Sequence, residues 1–527
     1  MARKRARPGG GEAPRPTEAS GAAGRSGLLA TAVALAVAVG VGVARRGTSS
    51  AGEAGHLEAL ASSLVGEASG GWAADVAPLE LLEGLGENGG TWCDFAVVNA
   101  SDLDATRFER DFRSRGAPVV VRGGAARWGA RSRWAKEALR ASYGVRATQY
   151  GPGSDIIYAG GGDSNRATLR QLLDRVDNAS AALAADPDSG AADDVFAFDV
   201  KVLQAIPELG RDFSTPRALR RAFPRESLAS GAAWRLLSLG PSRAGLPLHA
   251  HGETWLGVAH GAKRWFAYAP GDGPARETTK RLHPLASARS WYRAVYADAG
   301  HRPLTCLQRA GDALYLPAGW KHATLNVGET VAAGEQAGYA AAERFATSTR
   351  ALQGSPHDVE ALHGAGIAAA HLAFEGRPDL FAKSVDYLSR AVAERPLQPE
   401  VNIILGEVLS AAGDRPAAHR AVDDCRRAYK AHTEQTLLGE PSAAALAAVH
   451  LKFGRFYLGT EMWDRALAPL GDALALRPDY AEALKDRALA HERLGDRRKA
   501  RRDLEAALRA APDDAAIAPR LALLSAS

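Results

Sequence analysis

Hydrophobic and polar positions change rhythm three times along this chain. The run GLLATAVALAVAVGVGVA at 27–44 carries no charge and is closed by Arg45 and Arg46. Eighteen residues at the helical rise span roughly 27 Å, enough for a thin bilayer. More basic residues precede the run than follow it, which predicts a single-pass signal-anchor with its body on the lumenal side. A cleaved signal peptide is the alternative. The arm 1–26 is expected to be disordered, and the Gly/Ala-rich stretch 45–90 to be a linker.

From about 91 the pattern becomes one of short apolar runs broken by Gly and Pro. APVVVRGGAARW (117–128) predicts a buried strand and turn, and VFAFDVKVLQAIPEL (195–209) a strand leading into a short helix. The stretch 151–194 reads as strands interrupted by loops. Strands also alternate with turns over 234–270 and 304–328. Together these predict an all-β sandwich or double-stranded barrel over 91–345. Beyond about 345 an Ala/Leu helical rhythm takes over. Pro478 and Pro512 lie 34 residues apart. The same offset relates Gly454 to Ala488, Tyr457 to His491, Ala466 to Ala500, Leu470 to Leu504 and Ala473 to Ala507. That period predicts three to four tetratricopeptide repeats over 350–527, with the phase slipping between 430 and 444. The fold class is therefore mixed: a β domain, then an α-helical solenoid, with an N-terminal transmembrane helix.

Charge changes the picture in one respect. The net charge is +5, but residues 1–46 hold eight Lys/Arg against two Glu, or +6, which leaves about −1 for the remainder. The basic balance belongs to the arm, so no nucleic-acid partner is expected. Three cysteines, Cys93, Cys306 and Cys425, are too few for a disulfide scaffold or a zinc ribbon. The sequons at Asn99 and Asn178 fit a lumenal location.

The candidate chemistry begins in LPLHAHGETWLGV (246–258). On a strand, His249, His251 and Glu253 share one face. Three such groups buried together need a partner, and a metal ion is one; an exposed polar edge is the other reading. About seventy residues on, GDALYLPAGWKH (311–322) reads as turn, strand, rigid bend and then His322 at the head of a strand. A barrel can bring His322 opposite His249.

Three linked motifs, LGPSRAGLPLHAH (239–251), GAKRWFAYAP (261–270) and GDALYLPAGWKHATLNV (311–327), resemble the JmjC family of Fe(II)- and 2-oxoglutarate-dependent oxygenases. The likeness is to its hydroxylase-type, secretory-pathway members, and it implies a double-stranded β-helix of the cupin type. It makes His249 and His322 metal ligands and Lys263 the holder of the far carboxylate of 2-oxoglutarate, with Asn326 lining the same cavity. Two positions depart from the pattern. His251 stands where the family places Asp or Glu, which leaves Glu253 as the nearest carboxylate and, as candidate sets, His249, Glu253 and His322, or all four of His249, His251, Glu253 and His322. Leu246 stands where the family often has Thr or Ser. Three imidazoles also resemble a zinc set, so zinc is the expectation for a non-catalytic site. Trp255, Trp265 and Trp320 are expected in the barrel core, and His260, His283 and His301 on the surface or in loops. Cys93 and Cys306 both fall in the JmjC-like part and could pair in an oxidising lumen. Cys425 is expected to be buried and inert.

These readings converge on an oxygenase that hydroxylates a protein side chain, with the repeats recruiting a protein or peptide through their groove. It would be held at a membrane of the endoplasmic reticulum, facing the lumen, or be free in the lumen after signal cleavage. A catalytically inactive adaptor is the alternative, and a cupin enzyme that does not use 2-oxoglutarate a weaker third.

Overall fold

The computed structural model describes residues 70–527 apart from 76–77, 83–84, 86–91, 159–164, 200–201, 275–281, 297–301, 433–438, 440, 513 and 526–527. All of them belong to one compact unit, Leu57–Ser527. The run at 27–44 and the basic arm lie outside the described residues, as does His301. Among the described residues no helix is long and apolar enough to cross a membrane.

The β domain holds strands β1 (Ala96–Asn99), β2 (Val119–Arg122), β3 (Ala147–Tyr150), β4 (Asn165–Thr168), β5 (Ala197–Asp199), β6 (Ala233–Gly240), β7 (Thr254–Tyr268), β8 (Leu304–Arg309), β9 (Ala313–Leu316) and β10 (Lys321–Ala337). The main sheet runs β1-β2-β9-β7-β10-β6-β5, with β8 added to β7, while β3 and β4 pair separately. β7 and β10 are long, buried and antiparallel, and each serves two layers. The first half of β7 pairs with β9 and the second half with β8. The second half of β10 pairs with β6, while its first half faces the segment 244–249 through Thr324 N–H to Leu246 O and the His249–His322 bridge. β7 turns from one layer to the other at Gly261, whose φ of +72° is costly for any residue with a Cβ. The outcome is a double-stranded β-helix whose interior lies between the layers.

Two sequence expectations change here. The stretch 151–194 is largely helical: α1 (Leu169–Ala185) begins with a capping box between Thr168 and Gln171. It buries Leu169, Leu172, Leu173, Val176, Ala179 and Leu183, a helical rhythm that the surrounding Asp, Asn and Gly conceal. Part of the expected linker 45–90 belongs to the barrel. Trp72 joins the main core and donates its indole N–H to Trp134 O at 2.9 Å, while Leu81, Leu82 and Leu85 pack with Phe266 and Leu325. Apolar residues that sparse carry no periodicity, so only the tertiary fold shows where they go.

The helical part contains α2 (Ala341–Gly354), α3 (Val359–Phe374), α4 (Leu380–Glu394), α5 (Pro399–Ala411), α6 (Arg415–His432), α7 (Ala443–Gly459), α8 (Trp463–Leu476), α9 (Ala481–Arg493), α10 (Arg497–Ala510) and α11 (Ile517–Ser525). Helix α2 starts inside the stretch expected to be barrel. Helices α3/α4, α5/α6, α7/α8 and α9/α10 form antiparallel pairs. The positions 34 apart are the crossing points: Ala466, Leu470, Ala473, Ala488, Ala500, Leu504 and Ala507 are all fully buried. Small residues are needed there, since a Cβ on Gly454 would press into Leu470 at 2.6 Å. Cys425 is buried in the same core, as expected.

Barrel and repeats meet at the loop that opens α3 and against the C-terminal part of α6. Ser355 Oγ donates to Gly271 O at 2.7 Å. Lys321, on the outer face of β10, donates to Asp272 O at 2.8 Å and pairs with Asp358, the cap of α3. His283 packs against Tyr429 with ring centres 5.9 Å apart, and Leu285 sits in the repeat core. His283, in a loop as expected, and His260, within β7, are both buried, at 6% and 2% exposure, and neither is a surface residue. Their burial comes from neighbours far away in the chain.

Candidate metal centre

The register of β10 on β7 sets the interior face. His322 lies opposite Ala267, Thr324 opposite Trp265 and Asn326 opposite Lys263. Alternation then turns the side chains of 322, 324 and 326, with 263 and 265, into the cavity. The segment 244–249 closes it from the far side: His249 N–H donates to His322 O at 3.0 Å and His322 N–H returns to His249 O at 2.8 Å.

His249, His251 and His322 come together, with their candidate ligand atoms all within 4.8 Å of one another. Their ring centres are 4.2 to 5.2 Å apart. In each ring Nδ1 faces a backbone carbonyl: Pro247 O at 2.8 Å, Gly252 O at 2.7 Å and Trp320 O at 3.0 Å. A carbonyl only accepts, so Nδ1 carries the proton and the lone pair stays on Nε2. Burial holds all three rings neutral. It lowers His249 to about 3 and His251 to about 4, and it pushes His322 well below its ordinary value with help from the other two rings. Three neutral imidazoles with fixed tautomers form a donor set that fits a divalent cation.

Glu253 does not join them. The chain 249–253 is not a continuous strand; it bends at Gly252, and β7 starts only at Thr254. The alternation that aligns His249 with His251 is lost one residue before Glu253. Its carboxylate instead accepts from Arg113 Nη2 at 2.8 Å, Arg113 Nε at 3.0 Å and Tyr315 OH at 3.0 Å.

Lys263 and Asn326, the residues expected at the co-substrate end, are brought together. Lys263 Nζ donates to Asn326 Oδ1 at 2.7 Å, and Asn326 Nδ2 reaches Pro241 O at 3.1 Å. Burial lowers the Lys263 ammonium to about 7. Leu246, Phe196, Trp265 and Thr324 are among the other residues lining a cavity of about 20 Å³, room for one or two waters. Trp265 is thus both core and wall, tilted against His322 with ring centres 5.6 Å apart, whereas Trp255 and Trp320 are core alone. Thr324 was legible from the alternation 322, 324, 326; Phe196, from the distant segment just ahead of β5, left no sequence signal. Cys93 and Cys306 are joined by a disulfide that ties the segment before β1 to β8.

Comparison with known proteins agrees with this geometry. The Cupin-like domain family matches residues 105–333, and a Tetratricopeptide repeat family matches 454–524. The chain is 29% identical over 237 residues to human JmjC domain-containing protein 8, covering 45% of this chain and 81% of that protein. It is 26% identical over 254 residues to the Caenorhabditis elegans bifunctional arginine demethylase and lysyl-hydroxylase psr-1, covering 45% of this chain and 59% of that one. It is 27% identical over 253 residues to the Arabidopsis thaliana lysine-specific demethylase JMJ21, of which it spans 24%. The chain therefore carries a cupin-like domain similar to those of JmjC domain-containing proteins, with tetratricopeptide repeats C-terminal to it.

Proposed function

We propose that this protein is a JmjC-type oxygenase that hydroxylates a protein side chain, using Fe(II) held by His249, His251 and His322 and 2-oxoglutarate held at its far end by Lys263. The observation that carries the reading is that the three imidazoles and the Lys263–Asn326 pair face one cavity from two ends. Iron and 2-oxoglutarate, when bound, supply the oxygen activation and the electrons. The chain's own part is placement. The three Nε2 lone pairs would hold the cation while supplying only three ligands, so that a co-substrate could also bind it. Neutral ligands leave the cation's charge uncompensated, which favours an anionic co-substrate. Lys263, charged when a carboxylate meets it, fixes the orientation of that co-substrate, and Asn326 holds the ammonium in place. Leu246, Phe196 and Trp265 exclude water. A cavity of about 20 Å³ requires these side chains to move apart as 2-oxoglutarate enters.

The repeats recruit the substrate in this reading, through the groove that a tetratricopeptide solenoid presents to an extended segment. The Cys93–Cys306 disulfide supports an oxidising, lumenal compartment for the domain. The test is consumption of 2-oxoglutarate by the purified chain with Fe(II) and candidate substrate peptides. Succinate production that disappears in His249→Ala is the expected result. No turnover with any peptide, and no binding of 2-oxoglutarate to the metal-loaded chain, would overturn it. The second reading, a non-catalytic adaptor, is favoured by the missing carboxylate ligand and the narrow cavity; it predicts that His322→Ala keeps full partner binding and cellular function.

A further inference from the structure

Glu253 has more hydrogen-bond partners than an idle rim carboxylate needs. Its two oxygens take both donors of the Arg113 fork and the hydroxyl of Tyr315, which is 1% exposed. Each partner comes from a different part of the site. Arg113 ends the helical turn Glu109–Arg113, whose neighbour Phe108 meets Tyr315 edge-on with ring centres 4.8 Å apart. Tyr315 lies in β9, seven residues before His322 and just ahead of the bend Pro317–Trp320 that delivers it. Glu253 itself is two residues after His251. One carboxylate thus joins the segment bearing His251, the strand leading to His322, and the helix that backs both.

Few other contacts fix this segment. Between the bridge at His249 and the start of β7 its backbone is held by Gly319 N–H to His251 O and Ala337 N–H to Glu253 O, both at 2.9 Å. Without the carboxylate, Tyr315 would keep a buried hydroxyl with no acceptor and Arg113 would keep only Glu109 at 3.3 Å. An unsatisfied buried polar group costs about 1–3 kcal/mol, enough to draw the segment out of register.

We propose that Glu253, with Arg113 and Tyr315, is a positioning residue of the metal centre: it sets where His251 stands relative to His322, as a hydrogen-bonded carboxylate and not as a ligand. This rests on the reading that the three histidines hold a divalent cation. It explains how a chain with histidine at 251 retains a carboxylate two residues on without using it on the metal.

The test is cobalt(II) titration of the full chain, without 2-oxoglutarate, reading affinity and the visible absorption of the bound ion, with thermal melting of each metal-free variant alongside. Glu253→Ala is expected to weaken cobalt binding roughly 10–100-fold and to shift the absorption bands, as loss of an outer partner does. Glu253→Gln keeps an acceptor for Arg113 and Tyr315 and is expected to restore most of the affinity. If Glu253→Gln loses cobalt as completely as His249→Ala, Glu253 is a ligand and the inference is wrong. Unchanged affinity and spectrum in Glu253→Ala also overturn it. Should Glu253→Ala fail to fold, Tyr315→Phe carries the test, since it removes one hydrogen bond and no charge; unchanged affinity there is equally fatal. A wild-type chain that binds no cobalt removes the metal-centre reading and this inference together, whereas binding with indifferent variants removes this inference alone.

Discussion

Buried imidazoles and a buried ammonium govern what the site does as pH changes. An unfolded histidine protonates near pH 6.5, while His249 and His251 do so at about 3 and about 4 in the fold. Below about 6.5 the unfolded chain binds protons that the folded chain refuses, so stability is present above that pH and is lost as pH falls toward 4. Urea midpoints of the metal-free chain should therefore drop between pH 7 and pH 5, and His251→Asn should flatten part of that drop. Lys263 behaves oppositely toward a ligand. With its folded value lowered to about 7, it is partly neutral at neutral pH and needs a proton to meet a carboxylate. Calorimetry should show 2-oxoglutarate binding weakening from pH 7 to pH 9 with proton uptake, and Lys263→Met should bind weakly with no such pH dependence. That His249, His322, Lys263 and Asn326 come to one cavity was legible in the sequence because each sits in a local motif. The fate of Glu253 was not: its partners Arg113 and Tyr315 lie 140 and 62 residues away.

At the scale of elements, the site depends on where strands end. β10 carries three interior residues in perfect alternation, and the sequence shows that alternation directly. The opposite wall is a non-strand segment whose path is set by close approach. At Gly252 a Cβ would sit 2.5 Å from Ala337 O and 3.1 Å from Gly338 O, at the end of β10. Gly252→Ala should push the start of β7 away from β10, costing about 1–3 kcal/mol and displacing both His251 and Glu253. A thermal melt and a cobalt titration on one sample check both effects. The helix α1 and the strand-like reading of 151–194 illustrate the reverse case. A capping box and a helical stripe were present in the letters, but polar residues around them blurred the period.

On the scale of the whole molecule, barrel and repeats are coupled through the back of the metal strand. Lys321 stands next to His322 with its side chain on the outer face, where it meets Asp358 at the start of α3. Both groups are buried, with side chains 8% and 7% exposed. Lys321→Ala should cost roughly 3 kcal/mol by leaving the Asp358 carboxylate without its cation. The unfolding of the repeats, followed by helical circular dichroism, should then separate from that of the barrel, followed by tryptophan fluorescence; a single coincident transition would show that the other contacts suffice.

The sequence by itself determined the two architectures, the period of the repeats, the order of the site motifs and the residues at both ends of the cavity. Those properties are local, since each is written in spacing along one or two strands or one helical repeat. Only the tertiary structure decided that His249, His251 and His322 gather in one cavity without Glu253, that Glu253 serves Arg113 and Tyr315, that Cys93 meets Cys306, and that His260 and His283 are buried. Each of these outcomes depends on a bend of a single residue or a partner distant in the chain. A carboxylate two residues from a ligand has no preference of its own between metal and guanidinium; the bend at Gly252, and what stands on its outer side, make that choice.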